Sequence, residues 1–276
     1  MAMRKYSLSE RGVSEAIGFI LIFSMVIAGI GLVTLYGYPM LMQQQSSANE
    51  QIMEKNMIVL QNDVKSLAYK TVPYQETSLK VEGGSLTVYN TTSIPAVLKI
   101  DITNCGATQY VSAFQSGDLR YSSESAGTDI SLQNGAVVMR PQVSPGSVNG
   151  SVMLAEPRWF YDNQTNTMVI NLIGVNNTGI MSRTGISTVD TALGEINYTY
   201  VSPVNGPLCV VYTPDPGQDY SVAWDNYFME NLNNPPDISV SRSGTPGNGA
   251  QLTYTVSISQ PMTLVIKRYD VVIKSL

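Results

Sequence analysis

Few side chains in this sequence are equipped for chemistry. There is no histidine, which excludes Ser-His-Asp and Cys-His nucleophile systems and removes the commonest zinc ligand. The two cysteines, Cys105 and Cys209, lie far apart in the chain. Either they form a disulfide, worth roughly 4 to 5 kcal/mol in the chain-entropy treatment, or they are two buried thiols on separate strands. Asp162-Asn163-Gln164-Thr165-Asn166 and Asp215-Pro216-Gly217-Gln218-Asp219 set oxygen ligands in turns. Neither has the spacing or closing glutamate of an EF-hand loop, and Asp, Asn, Pro and Gly favour turns without any ion. Trp159-Phe160-Tyr161, and Trp224 with Tyr227-Phe228, could make a sugar-stacking platform, but aromatics at strand and helix spacing belong in a core. With no Walker A loop, nucleophile elbow or HExxH motif, the expectation is a protein that is not an enzyme and uses no metal or cofactor.

Modification chemistry is better represented. N-x-S/T sequons stand at Asn90, Asn149, Asn163, Asn176 and Asn197, mostly at turns or strand ends, and fit a glycosylated surface protein in which some of the five are used. The net charge is −5 and only 13% of residues are charged. Without a basic cluster, nucleic acid is not an expected partner.

The element that must carry these residues is the run Val13–Met42. No Asp, Glu, Lys or Arg occurs between Glu15 and Glu50, and a soluble core helix would show a polar stripe. Some twenty apolar residues in a helix match the roughly 30 Å hydrocarbon layer, so membrane lipid is an expected partner. Arg4, Lys5 and Arg11 precede the run against Glu10 alone. They place the N-terminus in the cytoplasm and the C-terminal domain outside.

Arg11-Gly12 followed by Val13-Ser14-Glu15-Ala16-Ile17-Gly18 resembles the class III signal peptide of archaeal type IV pilins, with Glu15 where proline is usual. The resemblance implies a leader 1–12, cut by a prepilin peptidase between Gly12 and Val13. The retained helix would serve as membrane anchor and then as filament core, with other copies of the chain and a pilus assembly machinery as partners. Ser14, Glu15 and Gly18 would open that helix. Glu15 reads as an acid favoured by the helix dipole, with Ser14 as a cap candidate, or alternatively as a partner for the freed Val13 amine.

Pro39 is expected to interrupt the helix. A polar stretch, Gln43 to Ser47, then leads to a second helical pattern, with Met53, Met57, Leu60, Val64 and Leu67 at alternating four- and three-residue steps. Glu50, Glu54, Lys55, Gln61, Asn62, Asp63 and Lys65 take its other faces. The narrow seam is expected against the chain's own outer domain, or as part of a filament core at another height, and Pro73 ends this 43–73 stalk. From residue 74 the pattern turns to short alternating runs. Ser78–Glu82 and Ser85–Tyr89 around Gly83-Gly84, and Asp129–Gln133 and Ala136–Arg140 around Asn134-Gly135, read as hairpins. Further strands are expected at Ala96–Ile102, Ser151–Ala155, Thr167–Val175, Glu195–Val201, Leu208–Tyr212, Ile238–Arg242, Gln251–Ile258 and Thr263–Ile273. Ser221–Leu232 should be a helix that Pro235-Pro236 stops.

Leu119-Arg120-Tyr121, Gln133–Arg140, Val152–Pro157 and Thr167–Leu172 together resemble the outer domain of archaeal pilin-like membrane proteins, a family with no activity to carry over. The expected fold is α+β, a long N-terminal transmembrane and stalk helix (13–42, 43–73) followed by a mainly antiparallel, β-sandwich-like extracellular domain (74–276). The expected function is a structural subunit of a surface filament. The first alternative is a membrane-anchored outer domain that does not polymerise, a minor pilin-like or stator-like component, and the second is a membrane-tethered carbohydrate-binding module or carboxylate hydrolase.

Overall fold

The computed structural model describes residues 10–70, 72–92, 98–106, 108–124, 127–142, 150–178, 181–215, 217–232 and 237–276; the side chains of 10–15 and 98 lie outside that description. The chain divides into two compact units, Met1–Ala48 and Asn49–Leu276.

In the first unit, helix α1 (Glu10–Leu32) passes through a π turn (Val33–Gly37) into α2 (Tyr38–Lys70). Every large apolar side chain from Ile17 to Met42 is at least 47% exposed, and the helix is long and apolar enough to cross a membrane. The hydroxyl of Thr34 donates to the Ile30 carbonyl one turn back at 2.9 Å, so this polar group is satisfied within the helix. Pro39 does not break the rod as expected, because helix runs through it. The π turn just upstream closes with Tyr38 N–H donating to the Val33 carbonyl. This wider turn relieves the crowding between the proline ring and the preceding carbonyls.

The second unit begins on the last turns of α2 and continues as strands. In chain order these are β1 (Tyr74–Tyr89), β2 (Leu98–Thr103), β3 (Gln109–Gln115), β4 (Asp118–Ser123), β5 (Thr128–Gln133), β6 (Ala136–Pro141), β7 (Val152–Ala155), β8 (Phe160–Asp162), β9 (Thr167–Asn177), β10 (Met181–Val204) and β11 (Leu208–Pro214). Helix α3 (Ser221–Asn231) follows, then β12 (Ile238–Ser243), β13 (Leu252–Ile258) and β14 (Met262–Ser275). One sheet has nine strands in the order β7-β6-β5-β4-β1-β10-β14-β9-β8, and the other has five, β12-β13-β11-β2-β3. Pairing is antiparallel apart from β14 on β9. The fold is α+β, an apolar N-terminal helix followed by a mostly antiparallel β domain.

Both faces of the large sheet are used. On one, the seam Met53, Met57, Leu60, Val64 and Leu67 packs with Leu79, Val81, Leu119, Tyr121, Ile130 and Ile273. On the other, Met168, Ile170, Leu172, Leu264 and Ile266 pack with Tyr212, Tyr254 and the aromatic residues of α3. The strand period of two separates the sets. Gln61 departs from its expected outer face and is buried, 1% exposed. Its amide donates to the Gly135 carbonyl at 2.7 Å and the Glu156 carbonyl at 3.0 Å, so burial leaves no donor unpaired.

Gly83-Gly84 is not a hairpin turn either. β1 is one continuous strand, and its register on β10 jumps between Val81 and Leu86. Gly84 lies so close to β4 that a Cβ would meet the Ser122 carbonyl oxygen at 2.2 Å. The bulge therefore lets β1 take β4 as its second neighbour. Asn134-Gly135 does turn a hairpin, with φ of 47° and 72°, as a two-residue I′ loop requires. β10 starts at Met181, far before the expected Glu195.

Candidate functional site

The residues singled out in the sequence do not converge on one place. Arg11, Gly12 and Val13, with Ser14 and Glu15, lie on helical backbone of α1, their side chains outside the description. Gly18 sits on the same helix with open space where a Cβ would project. Residues 1–9 of the expected leader, Asn149, Pro216 and Pro235-Pro236 lie outside the described residues. Of the other sequons, Asn163 is in the exposed turn after β8 and Asn197 is exposed on β10. At Asn90 and Asn176 the side-chain oxygens are hydrogen-bonded. The Asn90 side-chain oxygen accepts from the N–H and hydroxyl of Thr92, and that of Asn176 from those of Thr91.

Cys105 and Cys209 are joined in a disulfide. It clips the loop after β2 to β11 beside the point where Cys209 pairs with Thr103. The oxygen-rich turns are occupied by their own backbone. Asp162 accepts from the Gln164 N–H and the Thr165 hydroxyl. Asp219 accepts from the N–H groups of Ser221 and Gly249, each at 2.8 Å. Among the described residues no group of three or more Cys, Asp or Glu side chains converges.

Two buried ion pairs lie on the inner face of β4, β5 and β6. Arg120 meets Asp118 at 3.0 Å and Arg140 meets Asp129 at 2.9 Å. Ser131 donates to Asp118, Gln142 donates to Asp129, and Arg120 lies over the Tyr89 ring. Burial pushes the Asp118 carboxyl up while Arg120 pulls it down. Arg140 also lines an opening of about 330 Å³ with Glu50, Thr128, Met139 and Ser151, and the two ion pairs tie β4, β5 and β6 together as an internal clamp.

One open feature is a groove of about 800 Å³ between the last turns of α2 and the β7–β8 connection, lined by Lys65, Ser66, Tyr69, Lys70, Glu156 and Arg158 among others. Arg158 lies 5.2 Å from the Tyr69 ring centre and 5.8 Å from that of Phe160. Lys65 donates to the Glu156 carbonyl. Burial lowers its affinity for a proton, Glu156 opposes the shift and Arg158 adds to it. The Glu156 carboxylate accepts from Asn231.

Next to the groove the same face of the large sheet continues uncovered. Tyr200 stands opposite Val265, Val265 beside Val169, and Val169 opposite Phe160. This is one row across four strands, since residues paired in register point the same way. The neighbouring row holds Tyr198, Lys267 and Asn171. Tyr198, Tyr200 and Phe160 are 65%, 70% and 42% exposed. Trp159, Trp224, Tyr227 and Phe228 are by contrast buried. Among the aromatics weighed for stacking, Phe160 alone is on this open face, in company that no local pattern announced.

Fold and surface together define a class: a single apolar helix carrying a two-sheet β domain whose described surface holds no catalytic constellation. The chain belongs to a family of unknown function, DUF7289, whose model matches residues 11–202. That stretch runs from the helix to near the end of β10. No curated protein and no solved structure matches the chain.

Proposed function

We propose that this chain is a structural subunit of an archaeal type IV pilus-like surface filament, serving attachment. A prepilin peptidase removes residues 1–12 after Gly12, the apolar helix holds the subunit in the membrane with the β domain outside, and the helix then packs among copies of itself. One observation carries this reading. The rod has two chemically different stretches, with every large apolar residue from Ile17 to Met42 exposed while the seam from Met53 to Leu67 is buried. The exposed stretch needs lipid or other apolar helices on all sides. Removing Arg4, Lys5 and Arg11 with the leader makes it cheaper to exchange one surrounding for the other. Surface glycosylation, at Asn163 and Asn197 first, belongs to the same reading.

The size of the β domain favours a second reading, a membrane-anchored outer domain that does not polymerise. About 230 residues fill a body with a radius of gyration near 17 Å, whereas packed helices sit about 8–10 Å apart. A filament of this subunit therefore needs its outer domains staggered along the axis. Sequencing the mature N-terminus and imaging sheared appendages decides the matter. A start at Val13 with this chain in filaments supports the first reading, a start at Val13 without filaments the second. An intact Met1 or Ala2 overturns processing and assembly together.

A further inference from the structure

We propose that the uncovered face of the large sheet beyond α2, with the groove beside it, binds acidic polysaccharide, a polymer of sugar rings bearing uronate-type carboxylates. The row Tyr200–Val265–Val169–Phe160 crosses four strands and so spans about 14 Å. A flat, open surface of that width suits an extended chain better than a small molecule, which asks for enclosure. Tyr198 and Tyr200 offer ring faces to the apolar faces of sugars and phenol groups to their hydroxyls, and both are mostly exposed. The next row adds the hydroxyls of Ser202 and Thr263.

Charge selects the acidic class. Lys65, Lys70 and Arg158 line the groove, and Lys267 shares a row with Tyr198. Facing them are two carboxylates, Glu156, which accepts from Asn231, and Asp162, held by its own turn. A net positive patch on a chain of net charge −5 is a local departure that an anionic ligand would complete. Arg158, braced between Tyr69 and Phe160, presents a planar fork suited to a carboxylate. Asn197, the residue before Tyr198, pairs with Arg268 and points to the opposite face by strand alternation, so a glycan there would leave the platform open.

The test uses the full chain in detergent micelles and affinity electrophoresis through polygalacturonate, dextran or polyglutamate. Retardation by polygalacturonate alone is expected, weakening with salt. Tyr198→Ala/Tyr200→Ala and Lys70→Ala/Lys267→Ala should each weaken it on the order of tenfold or more, with circular dichroism unchanged. Lys80→Ala/Arg183→Ala, which removes the same charge elsewhere, should bind like the parent. Equal retardation by dextran overturns the acidic class, and equal retardation by polyglutamate overturns the sugar. Equal loss in the Lys80/Arg183 variant reduces the effect to overall charge. If the tyrosine pair instead controls self-association, the face is an interface between copies and the proposal fails.

Discussion

Adjacent residues of α2 give a sharp test of how the helix is held. Leu60 is 2% exposed in the seam and Val59 is 48% exposed. Leu60→Ala removes three buried carbons, at about 0.8 kcal/mol each for transfer. The cavity left under the helix adds to this at about 24 cal/mol per Å³, which brings the expected loss to roughly 3–4 kcal/mol. Val59→Ala should cost less than about 1 kcal/mol. Guanidinium unfolding of the full chain in detergent, followed by tryptophan fluorescence, measures both. Trp224 is buried with the small sheet and α3, on the side of the large sheet away from α2, whereas Trp159 also lines the groove at the end of α2. In a Trp159→Phe background, Trp224 registers the helix mutation only if the β domain and the end of α2 unfold together. A loss below about 1 kcal/mol for Leu60→Ala, or no difference from Val59→Ala, would refute the claim that this seam is part of one cooperative core.

Reducing the Cys105–Cys209 disulfide, which closes a separation of 104 residues, should lower unfolding stability by up to about 4.7 kcal/mol, read by the same titration with and without reductant. Asp118→Ala should cost about 3–5 kcal/mol because it strands the buried Arg120 charge, while Asp118→Leu/Arg120→Met should cost clearly less in thermal unfolding. Tyr212, Tyr220, Tyr227 and Tyr254 are buried phenols whose proton affinities burial raises. The folded state keeps protons that the unfolded state releases above about pH 10, so stability should be intact below that pH and fall as pH rises past it. The slope should be up to about 1.4 kcal/mol per pH unit per phenol, measured by unfolding titrations alongside phenolate absorbance.

The seam of α2 was legible because burial on one face leaves a 3.6-residue signature, and all five positions from Met53 to Leu67 are buried. Gln61 escaped notice because its partners, the Gly135 and Glu156 carbonyls, are far away in sequence. The Gly83-Gly84 bulge has the local pattern of a turn, and only the presence of β10 along both halves of β1 distinguishes them. β4 and β5 carry Asp118, Arg120, Asp129 and Ser131 in alternation with Leu119, Tyr121, Ile130 and Leu132. Period-two patterning assigns those polar residues to solvent, yet a second layer covers them. The open face at Tyr198, Tyr200 and Phe160 depends on where α2 ends above the sheet, a long-range fact that no window of sequence contains.

The position of β14 has a consequence for how the chain is made. It comes last in chain order yet lies in the interior of the large sheet, with β10 on one side and β9 on the other. During synthesis β9 and β10 emerge without the strand that will join them, their unsatisfied edges held apart for the time it takes to add some sixty residues. Such edges recruit foreign strands. The newborn chain is therefore vulnerable to aggregation until β14 arrives, and a holding partner would matter most in that interval.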